Sequence, residues 1–131
     1  MTKENQANVE TLSAVFDAFN RHDADGVMMH MTDDVVFDAA GGPEVFGARF
    51  TGQQAVGDAF RGVFATFKDV EWADCVHFAF GDRGISEWVF KGTKDDGSRI
   101  EAEGVDLFTF RDGKIASKRA FRKDRPLLGS K

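Results

Sequence analysis

Tyrosine is absent from this 131-residue chain. No phenol can therefore donate a hydrogen bond anywhere in it. Cysteine occurs once, at Cys75, which excludes an internal disulfide and leaves the cytoplasm as the expected compartment. Cys75 falls in an expected strand with no cysteine or metal-spaced histidine beside it, so it reads as a small core or interface residue rather than a nucleophile. No secretory pattern or membrane-spanning run is read in the chain. An excess of basic charge is lacking too: 17 Lys and Arg face 22 Asp and Glu, for a net charge of −5 and a pI near 5.1. Neither nucleic acid nor a membrane is expected as a partner. Walker, dinucleotide, zinc and Ser-His-Asp signatures are missing, so no cofactor or metal is expected. Without repeats, low-complexity runs or linkers, residues 1–131 read as one domain, with 126–131 a short tail.

What is present is aromatic bulk. The chain is 42% hydrophobic, with 14 Phe and 2 Trp, ample for a core and an aromatic-lined cavity in a domain that buries roughly 60% or more of its unfolded surface. Charge is unevenly placed. Residues 1–40 hold eight acids against Lys3 and Arg21, and residues 111–131 hold eight bases against Asp112 and Asp124. The two ends are expected to meet and neutralise one another.

Val9, Leu12, Val15, Phe16 and Phe19 recur at helical spacing and predict a helix over residues 5–20. Asp23 caps a short second helix bearing Val27, Met28 and Met31, and His22 and His30 read as surface residues. Val35 to Asp38 form a strand that breaks into a glycine-rich loop, which makes Asp38 either a turn-capping residue or an acid at a cavity rim. Phe46 and Phe50, in the loop from Gly41 to Thr51, are lids over a pocket or staples onto the core. Val56, Ala59, Phe60, Val63, Phe64 and Phe67 predict a third helix over 53–67, capped by Thr51.

Strands over 69–81 and 84–93 precede a hairpin over 99–122 that turns at Asp112-Gly113. Alternation through the first strand places Val70, Trp72, Asp74, Val76, Phe78 and Phe80 on the core face. It places Cys75, His77 and Ala79 outside, His77 as an interface residue bonded to a glutamate; a bulge would turn Asp74 out. The outer face, half apolar and half charged through Val89, Val105, Leu107, Glu87 and Glu103, suits a subunit interface.

In the hairpin, Ile100, Ala102, Gly104, Asp106, Phe108 and Phe110 share the inward face. A buried carboxylate needs a partner or a proton. A two-residue turn sets Arg119 opposite Asp106, and a turn with a Gly113 bulge sets Lys118 there. Either cation makes Asp106 an ion-paired structural acid or part of a functional site.

The motifs Thr32-Asp33-Asp34-Val35-Val36-Phe37-Asp38 and Gly104-Val105-Asp106-Leu107-Phe108-Thr109-Phe110-Arg111-Asp112-Gly113-Lys114-Ile115, in this order of helices and strands, resemble the nuclear transport factor 2-like superfamily, closest to its SnoaL-like and ketosteroid isomerase-like branch. The resemblance implies an α+β cone: a curved antiparallel sheet wrapped around three N-terminal helices, with an internal pocket and dimerisation through the outer sheet face. Asp106 matches the oxyanion-donor Asp of ketosteroid isomerases, and Asp38 matches their general base if one residue is deleted before it; otherwise Ala39 does. The Tyr position of those enzymes lands near Val15 or Phe16, which speaks against steroid isomerisation. Asp106 also matches the acid-base Asp of SnoaL-like polyketide cyclases, whose partner His is unmatched between Ser86 and Lys94.

Two functions are expected as alternatives. One is an acid-base enzyme of isomerase, cyclase or hydrolase type on a small, largely apolar molecule. Asp106 and Asp38 would then be catalytic, with Arg119 or Lys118 tuning charge or steadying an oxyanion and Trp88, Phe108 and Phe16 lining the pocket. A variant sets Asp38, Arg119 and Asp106 in the carboxylate-Arg-carboxylate arrangement of limonene epoxide hydrolases, which the same superfamily contains. The other function is a non-catalytic, dimeric small-ligand-binding module.

Overall fold

A computed structural model describes residues 2–129. Thr2 accepts a hydrogen bond from the Asn5 backbone N–H, so the first helix, α1 (Lys3–Asn20), starts two residues before the expected start at residue 5. Asp23 caps α2 (Ala24–Met28) by accepting from the Gly26 N–H. The third helix, α3 (Gln53–Thr66), departs from expectation. Its N-cap is Gly52 at φ 91°, with no side-chain cap. Gln53 instead donates to the carbonyls of Met28, Met31 and Thr32, tying the helix start to the chain that leaves α2.

Six strands follow or interleave: β1 (Met31–Asp38), β2 (Arg49–Thr51), β3 (Glu71–Phe80), β4 (Arg83–Thr93), β5 (Arg99–Arg111) and β6 (Lys114–Arg122). They form one sheet in the order β2-β1-β6-β5-β4-β3. All pairings are antiparallel except β1 with β6, which run parallel. The helices fill the sheet's concave side, giving the α+β cone. Leu12, Val15, Phe16 and Phe19 of α1 are 0–2% exposed, each burial worth about 1.5–3 kcal/mol. Phe19 lies at the centre, 4.9 Å from the ring of Phe60 on α3 and 4.9 Å from that of Trp72 on β3. Asn20 fixes this junction by bonding both the N–H and the carbonyl of Trp72. His22 is half-buried rather than a free surface residue, stacked on Phe64 and bonded to the Val70 carbonyl. The acidic and basic ends of the chain meet through the Asp34–Arg111 ion pair. Of the predicted tail, Leu128 pairs with Arg99 through two backbone hydrogen bonds, while Ser130 and Lys131 lie outside the described residues.

Two bulges decide which side chains face inward. In β3, Asp74 and Cys75 together oppose Trp88, with Asp74 at φ 57°. One extra residue reverses the alternation beyond it. His77 therefore points inward and Val76, Phe78 and Phe80 point outward, the reverse of the regular-strand expectation, and Asp74 is turned out. In β6, Ala116 is the extra residue: Phe110 pairs with Ile115, but Thr109 pairs with Ser117. Asp106 consequently lies opposite Ala120, and neither predicted hairpin register applies to it.

Candidate functional site

The inner faces of β4, β5 and β6 converge on Asp106, which is fully buried. Trp88 Nε1 donates to Asp106 Oδ2 at 2.9 Å and Lys118 Nζ donates to Oδ1 at 3.0 Å. Lys118 is directly opposite Phe108, one inward position away, so it reaches Asp106 diagonally across the hairpin. The small side chain of Ala120, opposite Asp106, leaves that path open. Gly104 is equally specific. A Cβ there would lie 2.5 Å from the Trp88 ring, so its absence lets the indole lie across β5 toward the carboxylate.

Three rings hold the Lys118 ammonium from the other sides: Phe37 at 4.6 Å, Phe19 at 5.4 Å and Phe60 at 5.6 Å. Complete burial pushes the Asp106 carboxyl up from its ordinary value, and this outweighs the lowering by the Lys118 charge, the Lys118 hydrogen bond and the Trp88 hydrogen bond. Directly opposite Asp106 on β4, buried Ser86 shares a 2.8 Å hydrogen bond with Nδ1 of His77. His77 packs 5.3 Å from the Phe16 ring, and burial lowers its pKa against a smaller opposing effect of Asp17.

Above the pair opens a cavity of about 300 Å³ between α3, the Ala39–Gly41 loop and the inner sheet face. Of the expected ligand-binding residues, Trp88, Lys118 and Phe50 line it. Phe16 and Phe108 do not; they are core residues packed edge to face at 6.3 Å. Phe46 is neither lid nor staple: it is exposed, off the cavity wall and outside the core, with its ring 3.9 Å from the Arg49 guanidinium carbon. Among the described residues, the charged ones on the cavity wall are Lys118 and Arg122.

Asp38 and Arg119 are not in this site. Val35 and Phe37 take the inward positions of β1, which sends Asp38 to the opposite face. There Arg49 binds it with two hydrogen bonds of 2.8 and 3.0 Å. Arg49's hydrogen bond, then its charge and that of Arg119, hold the Asp38 carboxyl below its ordinary value against a desolvation effect. Arg119 is exposed, faces out opposite Leu107 and lies over the Phe121 ring at 5.3 Å. The Asp38, Arg119 and Asp106 arrangement is thus divided between the two faces of the sheet. Sequence reasoning missed Arg49 and Arg122. Arg122 shares the alternation of Lys118 and Ala120, a signal that could have found it.

Chemically, the site is a single ammonium, fixed by a carboxylate and three aromatic faces, at the inner end of an apolar cavity. Such a group can donate to a ligand oxygen and stabilise negative charge that develops there.

Comparison with known proteins gives this arrangement a family. The model of the SnoaL-like domain matches residues 12–118, more than half of the chain, which belongs to that family. The fold is shared with solved structures. A proposed polyketide cyclase from Xanthomonas campestris pv. campestris superposes with a TM-score of 0.83 at 23% identity, over 92% of this chain and 93% of that one. A proposed polyketide cyclase from Pseudomonas putida KT2440 gives 0.77 at 20% identity, over 88% and 91%. An NTF2-like protein of unknown function from Mesorhizobium loti gives 0.78 at 24%, over 95% and 97%. No curated protein matches the chain.

Proposed function

We propose that the chain binds a small, largely apolar carbonyl compound in the aromatic cavity and promotes proton transfer next to the carbonyl, a chemistry of isomerase or cyclase type. The observation that carries this reading is the buried Lys118–Asp106 pair at the inner end of the cavity. Lys118 donates to the carbonyl oxygen. As the α C–H bond breaks, its electron pair ends on that oxygen beside the ammonium and the proton leaves to water. Asp106 holds Lys118 aimed at that oxygen. Two structural neighbours described as proposed polyketide cyclases agree with such a task.

2-Tetralone, a small aromatic ketone, tests it. Proton NMR in D₂O should show protein-dependent exchange of its α-protons, reduced about 10²-fold or more in Lys118→Met, the size of effect typical for loss of an oxyanion donor. Binding without faster exchange favours a second reading, the non-catalytic ligand-binding module. That reading is supported by a cavity wall that, among the described residues, holds no His, Tyr or carboxylate.

A second copy of the chain covers the outer sheet face in this account. Val76, Phe78, Ile85 and Phe121 stand exposed there, in adjoining cross-strand rows with Val105 and Leu107, and Phe80 is 82% exposed. Glu87 and Arg119 sit in neighbouring rows of that patch, so a copy turned about a two-fold axis meets opposite charge as well as apolar surface. Light scattering should give a dimer, and Phe78→Glu a monomer; a monomeric wild type at micromolar concentration excludes the dimer. A cytoplasmic setting accords with Cys75 being a free thiol.

A further inference from the structure

We infer that the cavity selects anionic ligands, with Arg122 at its mouth as the residue that recognises the charge. The inference rests on the reading that the cavity holds a ligand, and it adds the ligand's class: a flat apolar body carrying a carboxylate at its outer end.

Two cations project from the inner face of β6, Lys118 at the base of the cavity and Arg122 at its rim, with Ala120 between them. Four residue steps along the strand set their Cα atoms about 13 Å apart. The two cations differ in what neutralises them. Lys118 is matched by Asp106 at 3.0 Å. Arg122 makes no ion pair and no side-chain hydrogen bond among the described residues. Asp124 acts on it only through its charge, without contact. The guanidinium lies over the Phe90 ring, 4.9 Å from its centroid, against apolar surface that takes away part of its hydration.

A guanidinium stays charged in such a place. It is a partly desolvated positive charge that touches no counter-charge, at the entrance to a cavity whose wall residues, apart from it and Lys118, are aromatic, aliphatic or glycine. A ligand carboxylate would supply the missing partner in a two-pronged geometry that a neutral ligand cannot reproduce. The chain's net charge of −5 does not oppose this at the site, because distant charges are screened beyond about 8–10 Å at ordinary ionic strength.

The test compares two ligands of equal shape, 2-naphthoate and 2-naphthamide, by calorimetry at about 0.1 M salt. Quenching of Trp72 and Trp88, the only two tryptophans, both on the cavity wall, places the ligand inside. The carboxylate should bind about fivefold or more tightly than the amide, a ratio in the range of a single partly exposed charge pair. Arg122→Gln should bring the ratio close to one, Arg122→Lys should keep part of it, and 0.5 M salt should reduce it. Equal affinities in the wild type, or a preference that survives Arg122→Gln, overturn the inference while leaving the ligand-binding reading intact. Failure of both ligands to bind and to quench overturns that reading, and the inference with it.

Discussion

Replacing Lys118 by Met leaves the volume of the aromatic cage nearly filled but strips Asp106 of its cation. Trp88 remains as the sole donor to a carboxylate with no exposure to water. Removing one member of a buried pair costs about 3–5 kcal/mol. Proton linkage gives the direction of its pH dependence. In the variant, Asp106 folds as the neutral acid, so its folded pKa lies above the unfolded value near 3.8. Between those two values the folded state holds more protons than the unfolded state, and stability falls as pH rises, by about 1.4 kcal/mol per pH unit. Urea unfolding followed by circular dichroism from pH 4 to 8 should therefore show a wild-type-to-variant difference that is smallest at pH 4 and grows toward the buried-pair cost of about 3–5 kcal/mol near neutrality. Asp106→Asn in the same background should recover most of the loss, since the buried charge is then gone. A difference that is the same at pH 4.5 and pH 7.5, or below about 1 kcal/mol throughout, refutes the pairing argument.

Gly104→Ala should destabilise by about 1–3 kcal/mol, the usual cost of overpacking, because its Cβ would sit 2.5 Å from both the Trp88 ring and the Phe121 carbonyl oxygen; a shifted tryptophan emission should accompany the loss. Asp38→Asn should weaken the fold at pH 7 and much less at pH 3. The depressed Asp38 pKa contributes stability above the unfolded value that is lost as pH falls through the folded one, so a pH-independent penalty in thermal melts counts against the Arg49 pair. Burial pushes the Cys75 thiol up to about 11, so Ellman's reagent should label it slowly in the native protein and quickly in urea. Rapid native labelling would contradict its inward placement.

The helices were legible because their apolar residues recur with period 3.6 and because Asp23 is a cap of the expected type. The hairpin was legible through Asp112-Gly113, and an inward Asp106 beside a cation followed from alternation alone. What alternation could not supply was the position of an inserted residue. The bulges at Asp74-Cys75 and at Ala116 leave no local mark, since neither glycine nor proline signals them. Each moves every later residue of its strand to the other face or partner. That is why His77 was read outward, why Phe78 and Phe80 were read inward, and why neither expected register placed Lys118 correctly. Asp38 is a different case. The Val35 and Phe37 alternation already pointed it away from the core, but its place beside a glycine-rich loop outweighed that signal. Arg49, its partner, lies 11 residues away on a strand too short to show a pattern. The desolvation of Asp106 also has no sequence signature, because it depends on how completely Trp88 and the helices close over it.

Proton–carbon NMR of the lysine ε-methylene groups, with 2-tetralone added stepwise, tests most directly the claim that Lys118 is the group a ligand meets. Ring currents from Phe19, Phe37 and Phe60 should set the Lys118 signal apart from those of the other lysines, upfield of them. On saturation that signal should move while the other lysine signals stay in place. A Lys118 signal that remains fixed while the ligand saturates the protein would contradict the account.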